Sequence, residues 1–364
     1  MATSPNYGWA EPDNSSLVKN GAQDIRALGD AIDSSLWAVG YGQAGKNRVI
    51  NGDFGIWQRG TSFTLSTGVD TYCADRFLFA AYGSGTAATA SRQTFTPGTA
   101  PVAGYEGQFF GRITNFGTAS AWQFRQRIED VRTHAGQTVT FSFWAKAGTA
   151  LSNLNAEAVQ NFGSGGSATV TTSITTTGAI TTSWVRYSFT VSIPSISGKT
   201  VGTSSYLEFN IFQSGSVTSA NAIDTWGWQV EYGSKATPFD TASGTLGGEL
   251  ALCQRYYHRF SGEGQATATL INSGIGFTTT VAMFIFHLGT TMRIGPSSME
   301  VSNQGIYNVA TALSYSGGTW SLNQSFDNSV RVIYTHGSPV LTVGSAIIPS
   351  STTTSNYFAF SAEL

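Results

Sequence analysis

The chain reads as a mainly β protein: a short N-terminal helix, a central antiparallel jelly-roll sandwich and a small C-terminal β domain. Three observations carry that reading. Only 11% of the 364 residues are charged, too few for the outer faces of long solvated helices, which draw on Glu, Lys and Arg. Aromatic residues make up 13% and glycine contributes 42 residues, a composition that suits aromatic-packed strands joined by Gly/Ser/Thr turns. Apolar residues over the central stretch recur with period two, as in strands with one buried face.

The helix belongs to residues 1–46. Asp13, Asn14, Ser15 and Ser16 follow Pro12 and are N-cap residue types. Val18, Ile25, Ile32 and Val39 then recur at seven-residue spacing, with Leu28 on the adjoining seam position. That spacing is a short coiled-coil seam, with docking on its own domain as the alternative. Tyr41 to Gly45 reads as a linker.

Residues 47–243 form the predicted sandwich. Val185, Tyr187, Phe189, Val191 and Ile193 alternate with polar residues, as do Val139, Phe141 and Phe143, then Leu207, Phe209 and Ile211, then Trp226, Trp228 and Val230. Gly/Ser-rich stretches such as 163–166 separate them, the pattern of an antiparallel sandwich. Residues 244–364 form the last unit. Leu250, Cys253, Tyr257 and Phe260 line one face of a helix, or the segment ends as a strand. Val281 to Phe286 is apolar on both faces, and so small a unit needs outside cover for it, which association of subunits supplies.

Charge and cysteine usage exclude several functions. A net charge of −2 with 19 Lys and Arg leaves no basic face for nucleic acid. No stretch approaches the roughly 18–20 apolar residues of a membrane span, and the N-terminus lacks the basic-then-apolar signal pattern. Cys73 and Cys253 read as buried free thiols, neither a disulfide framework nor a zinc site. His134, His258, His287 and His336 show no ligand spacing, so no metal is expected. Asp70 with Asp75, or Glu129 with Asp130, offer carboxylate pairs, but neighbouring strand residues point to opposite faces, and nothing else marks an enzyme. Gly198-Lys199-Thr200 lacks the rest of a phosphate loop and reads as a turn.

Binding is left to the aromatics, whose faces stack on sugar C–H surfaces beside planar amides and acids. Trp144, Trp184, Trp226 and Trp228 fall on or beside strands and read as core. Trp320, in the turn-like stretch from Ser316, is the loop-borne candidate for a glycan surface, with Tyr307, Tyr315, Asn323 and Asp327.

Several motifs are familiar. Pro5-Asn6-Tyr7-Gly8-Trp9 through Ile32-Asp33 resembles the N-terminus of bacteriophage tail fibre and minor tail proteins. Asn51-Gly52-Asp53-Phe54-Gly55-Ile56-Trp57-Gln58-Arg59-Gly60, then Ala74-Asp75-Arg76-Phe77, is similar to a module recurrent in those fibres. Phe141 to Lys146, Gly227 to Gly233 with Thr237-Pro238-Phe239, and Glu249 to Tyr257 continue the likeness to about Phe260. The resemblance implies a virion protein located at the phage tail, a trimer with an N-terminal attachment region, a jelly-roll module and a C-terminal tip that contacts the host surface. It would dock on other tail or baseplate proteins through its N-terminus and adsorb to a bacterial surface polysaccharide. A structural spacer or adaptor, and then a depolymerase using a carboxylate such as Asp327, are the alternatives. The central module also resembles jelly-roll carbohydrate-binding modules, some of which hold a structural calcium. Here Gly55 stands where an acid would follow the early turn, and Trp228 and Gln229 replace the late aspartates, so the cofactor stays unknown. Asn51, Asp53, Trp57, Arg59, Asp75 and Arg76 match the module's marks and are read as residues that tie termini and loops together.

Overall fold

The computed structural model describes residues 2–4, 9–11, 17, 20–39, 45–83, 88–102, 105–174, 179–214, 221–261, 272–350 and 356–364. Strands β1 (Ala2–Thr3) and β2 (Ala10–Glu11) pair in a two-residue ladder. Helix α1 covers Gly21–Val39. Ile25 on its predicted seam is 67% exposed, while Leu28 and Ile32 are half-buried, so the chain itself leaves that seam partly uncovered. The cap residues 13–16, Val18 and the side chain of Val39 lie outside the described residues.

The sandwich is two six-stranded antiparallel sheets. The first comprises β4 (Thr71–Tyr72), β5 (Phe77–Tyr82), β8 (Ala121–Glu129), β10 (Asn155–Asn161), β11 (Val170–Ile174) and β13 (Tyr206–Ser214), in the spatial order β11-β10-β13-β8-β5-β4. The second comprises β3 (Ser62–Thr64), β6 (Thr89–Thr94), β7 (Phe109–Thr114), β9 (Thr138–Ala147), β12 (Val185–Ser192) and β14 (Ala222–Tyr232), ordered β12-β9-β14-β7-β6-β3. Inward residues of both sheets, among them Phe77, Phe79, Trp122, Phe124, Phe141, Phe143, Leu207, Phe209 and Trp228, form one core, as in aligned sandwich packing.

The simple alternation read for β14 fails at one residue. The ladder slips between Trp226 and Gln229, with Gly227 at φ +66°. That bulge sends Trp228 and Val230 into the core and turns Trp226 outward, into a second aromatic cluster with Phe95, Phe110, Trp144 and Phe239. A Cβ on Gly227 would lie 2.5 Å from the Trp144 ring, so glycine is required there. The outer face of the second sheet is thereby capped by aromatics, and that of the first is not.

Helix α2 (Leu246–Gln254) is capped by Thr245, whose hydroxyl accepts from the Gly248 amide. The predicted choice between helix and strand resolves into both, because the helix is followed directly by β15 (Tyr257–Ser261). Strand β15 sits in a three-stranded sheet ordered β15-β24-β18, with β18 (Ser298–Ser302) and β24 (Tyr357–Ser361). It packs on a seven-stranded sheet built from β16 (Gly274–Gly276), β17 (Val281–His287), β19 (Gly305–Asn308), β20 (Leu313–Tyr315), β21 (Thr319–Ser325), β22 (Ser329–Thr335) and β23 (Ala346–Ser350). Their spatial order is β20-β19-β23-β16-β17-β22-β21. Ala282, Phe284 and Phe286 of β17 enter the shared core. Met283 is only half-buried and Ile285 is 53% exposed, so this chain covers one face of β17 and not the other.

Candidate functional site

The uncapped face of the first sheet is built by alternation on its central strands. On β8, Trp122 and Phe124 enter the core, so Gln123, Arg125 and Arg127 point outward. On β13, Leu207, Phe209 and Ile211 are core, which sends Tyr206, Glu208, Asn210 and Phe212 outward. Register aligns these groups in rows across the sheet. Tyr72, Leu78, Arg125, Asn210, Glu157 and Ser173 follow one another on six neighbouring strands. Arg127, Glu208 and Val159 form the row on one side, and Gln123, Phe212 and Asn155 the row on the other. At about 4.8 Å per strand, the five strands from β5 to β11 make a face roughly 19 Å wide.

The polar groups here are held, not loose. Arg125 donates to Asp70 at 2.9 Å and also to the Tyr82 hydroxyl. Arg127 donates through Nε to Glu208 at 2.9 Å, lies 3.6 Å from Asp70, and stacks over the Tyr206 ring. The Asn210 amide donates to Glu157 at 2.7 Å. Glu208 and Asn210 are buried although they face outward, with Arg127 and Glu157 bonded to them. Burial, the largest influence, pushes the Tyr82 and Tyr206 hydroxyls up, so both stay protonated donors at neutral pH. Asn210 Oδ1 and Arg125 Nε, neighbours in the same row, have no hydrogen-bond partner. Unpaired buried polar atoms are costly and rare in native proteins, and these two mark the centre of the face.

The five residues nominated from sequence do not assemble into one surface. Trp320 lies on strand β21, not in a loop. It packs against Phe284, Tyr334 and Phe358 at ring distances of 5.1, 4.9 and 4.8 Å, and its indole donates to the Gln304 carbonyl. Tyr315 packs on the same core, whereas Tyr307 alternates with buried Ile306 and faces the other side of the sheet. Asn323 is exposed and accepts from Arg331. Asp327 occupies a turn whose backbone carbonyl accepts from the Met292 amide. A Gly-flanked tryptophan looks loop-borne in sequence, but here the glycines belong to the turn before it.

The module marks act as ties. The Asn51 carboxamide donates to the Ile56 and Asp75 carbonyls and accepts from the Ile56 amide. Asp53 accepts from the Tyr105 hydroxyl at 2.9 Å, and burial raises its pKa. The Trp57 indole donates to the Phe54 carbonyl, and Asp75 accepts from the Gln58 amide. Arg59 and Arg76 both pair with Glu363, and Tyr72 and Arg127 bond the Leu364 carbonyl, so the C-terminal domain is clamped to this end of the sandwich. Among the described residues these marks do not gather a calcium donor set. Gly55 offers no side chain, and Asn47 donates its amide to the Trp228 and Asp240 carbonyls. The Gln229 amide donates to Glu231. Among the described residues no group of three or more His, Cys, Asp or Glu could hold a metal ion.

Residues 81–211, which carry β8, β10 and the first part of β13, match the carbohydrate binding domain CBM_4_9. This match supports carbohydrate binding by the sandwich. No curated protein matches the chain. Among solved structures, the CBM22-1 xylan-binding domain of a Paenibacillus barcinonensis protein is 16% identical, covering 53% of this chain and 98% of its own, with a TM-score of 0.29. The TmCBM61 domain in complex with beta-1,4-galactotriose is 10% identical, covering 51% and 99%, TM-score 0.29. The enzymatically active domain of bacteriophage CBA120 tailspike protein 4 is 15% identical, covering 51% of this chain and 21% of that one, TM-score 0.29.

The sandwich face escaped the sequence reading because Glu208 and Asn210 alternate with apolar residues just as Ser188 and Thr190 do on β12. The signal available was residue type: β8 and β13 carry planar Gln, Arg, Glu and Asn outward, where β12 carries mainly hydroxyls.

Proposed function

We propose that this chain is a non-enzymatic receptor-binding protein of a phage tail fibre, which holds a bacterial surface glycan in a shallow trough along the outward face of the first sheet. The observation that carries the glycan site is the central row, where Asn210 Oδ1 and Arg125 Nε are buried without partners among planar groups and aromatic rings. Sugar hydroxyls both donate and accept, and each bond to a charged partner contributes about 1.5–3 kcal/mol. The carboxylates here are tied to guanidinium or amide groups, which suits holding rather than proton transfer. Support for the phage setting comes from the N-terminal and central motifs.

In this reading α1 and the open face of the seven-stranded sheet, with Ile275, Met283, Ile285 and Ile333, serve tail attachment and trimer assembly, and assembly raises weak affinity by avidity. The packing of half-buried Trp320 against the C-terminal core favours a supporting role for that domain, as the spacer alternative expects, with recognition left to the sandwich. Purified chain should bind polysaccharide from a susceptible host, compete with phage adsorption, and lose both on Asn210→Ala with its fold intact. Unchanged binding by that variant would contradict the site. A monomeric mass in solution would contradict the fibre assembly.

A further inference from the structure

We propose that the trough selects uncharged glycan chains and rejects those bearing uronic acid, sialic acid or phosphate. The inference rests on the carbohydrate-binding reading and names the class of its ligand. Two independent observations carry it.

The first is how the charges on the face are spent. Both guanidinium groups are engaged, Arg125 with Asp70 and Tyr82, and Arg127 with Glu208, Asp70 and the Leu364 carbonyl. Three carboxylates, Asp70, Glu157 and Glu208, stand against these two cations. An anionic sugar entering the trough would lose hydration and meet a net negative surface on which each guanidinium already has a carboxylate partner, so that the one unpaired N–H, Arg125 Nε, carries no uncompensated charge, a combination with a steep desolvation cost. A hydroxyl meets the reverse situation, because it donates to these carboxylates in charge-assisted bonds.

The second is the charge polarity of the sandwich. Strands β5, β11 and β13 finish at one end, where β8 and β10 begin. Of the chain joining strands at that end, residues 115–120, 148–154 and 179–184 are described, and none is an Asp, Glu, Lys, Arg or His. A sixth connection, 65–70, reaches the same end through the Thr67 hydroxyl on the Gly83 carbonyl and adds one charge, the negative Asp70. The charged connections lie at the opposite end, with Asp75, Arg76, Asp130 and Arg132, where the C-terminal domain docks. The described connections at the end away from that domain therefore bring amides and hydroxyls, and no cation that could draw in an acidic chain.

The test is an array of purified bacterial polysaccharides and defined oligomers probed with the full-length chain. It should include xylohexaose and cellohexaose as uncharged probes, and polygalacturonate and polysialic acid as anionic ones. Binding is expected among uncharged glycans, at least tenfold tighter than to any anionic glycan and insensitive to added salt. Asp70→Asn releases Arg125 and Arg127 from one carboxylate and should narrow that ratio by about tenfold, with circular dichroism reporting an intact fold. Strongest binding to anionic glycans, weakening with salt, would overturn the charge inference and leave the carbohydrate reading standing. Binding to neither class would overturn the carbohydrate reading, and the inference with it.

Discussion

Replacing Glu363 with Gln tests the junction between sandwich and C-terminal domain. The Glu363 carboxylate lies between Arg59 and Arg76, and the side chains of the three are 8%, 9% and 1% exposed. Arg76 is also stacked over the Tyr256 ring with its guanidinium carbon 3.5 Å from the centroid. Gln keeps the shape and removes the charge, so two nearly buried cations lose their shared counter-ion. Breaking a buried pair in this way costs about 3–5 kcal/mol. For domains of this size that corresponds to a fall in Tm of roughly 10 °C. Urea unfolding followed by tryptophan fluorescence would measure the loss, and the C-terminal domain should separate from the sandwich in its own transition. The double variant Arg76→Met, Glu363→Leu should recover much of the loss, because apolar side chains of similar size avoid desolvating charges. A loss under about 1 kcal/mol, or a double variant worse than Glu363→Gln alone, would refute the reasoning.

Acid should destabilise the sandwich through His134. Its ring is buried with neither nitrogen hydrogen-bonded, and burial, aided by nearby Arg48, lowers its pKa to about 4. A depressed histidine contributes stability that is complete above about pH 6.5 and is lost as pH falls towards 4, by up to about 3 kcal/mol. Asp53 and Glu249, raised by burial, work in the opposite direction, so His134→Gln should flatten or reverse the acid slope of urea midpoints. Ile285→Lys should leave a monomer's stability within about 0.5 kcal/mol but lower the mass seen by light scattering, if the open face of β17 joins subunits. Trp320→Ala should cost about 3 kcal/mol of folding stability without changing glycan affinity, as measured by thermal melts and titration calorimetry.

The sandwich was legible because alternation in β9, β12 and β13 is a local property of a half-buried strand. Its exceptions arise where a single residue resets the phase. Gly227 is the clearest, since nothing local distinguishes it from a turn glycine, and it sends Trp226 and Trp228 to opposite faces. The apolar run at Val281 was legible as a strand, yet whether Ile285 is covered depends on what lies beyond the chain. The site was the least legible part. Trp320 was conspicuous by its glycines, whereas Arg125, Asn210 and Glu157 lie on strands far apart in sequence and meet only through register. The arginines of the early motif were visible, but their partner Glu363 lies some 300 residues away, beyond any local pattern.

The measurement that tests the central claim most directly is a hydrogen-exchange footprint of the full-length chain with and without a bound glycan. The account predicts added protection on β5, β8, β10 and β13, and none on β19 to β21, where Tyr307, Tyr315 and Trp320 lie. Protection confined to the C-terminal domain, with the sandwich strands unchanged, would contradict it.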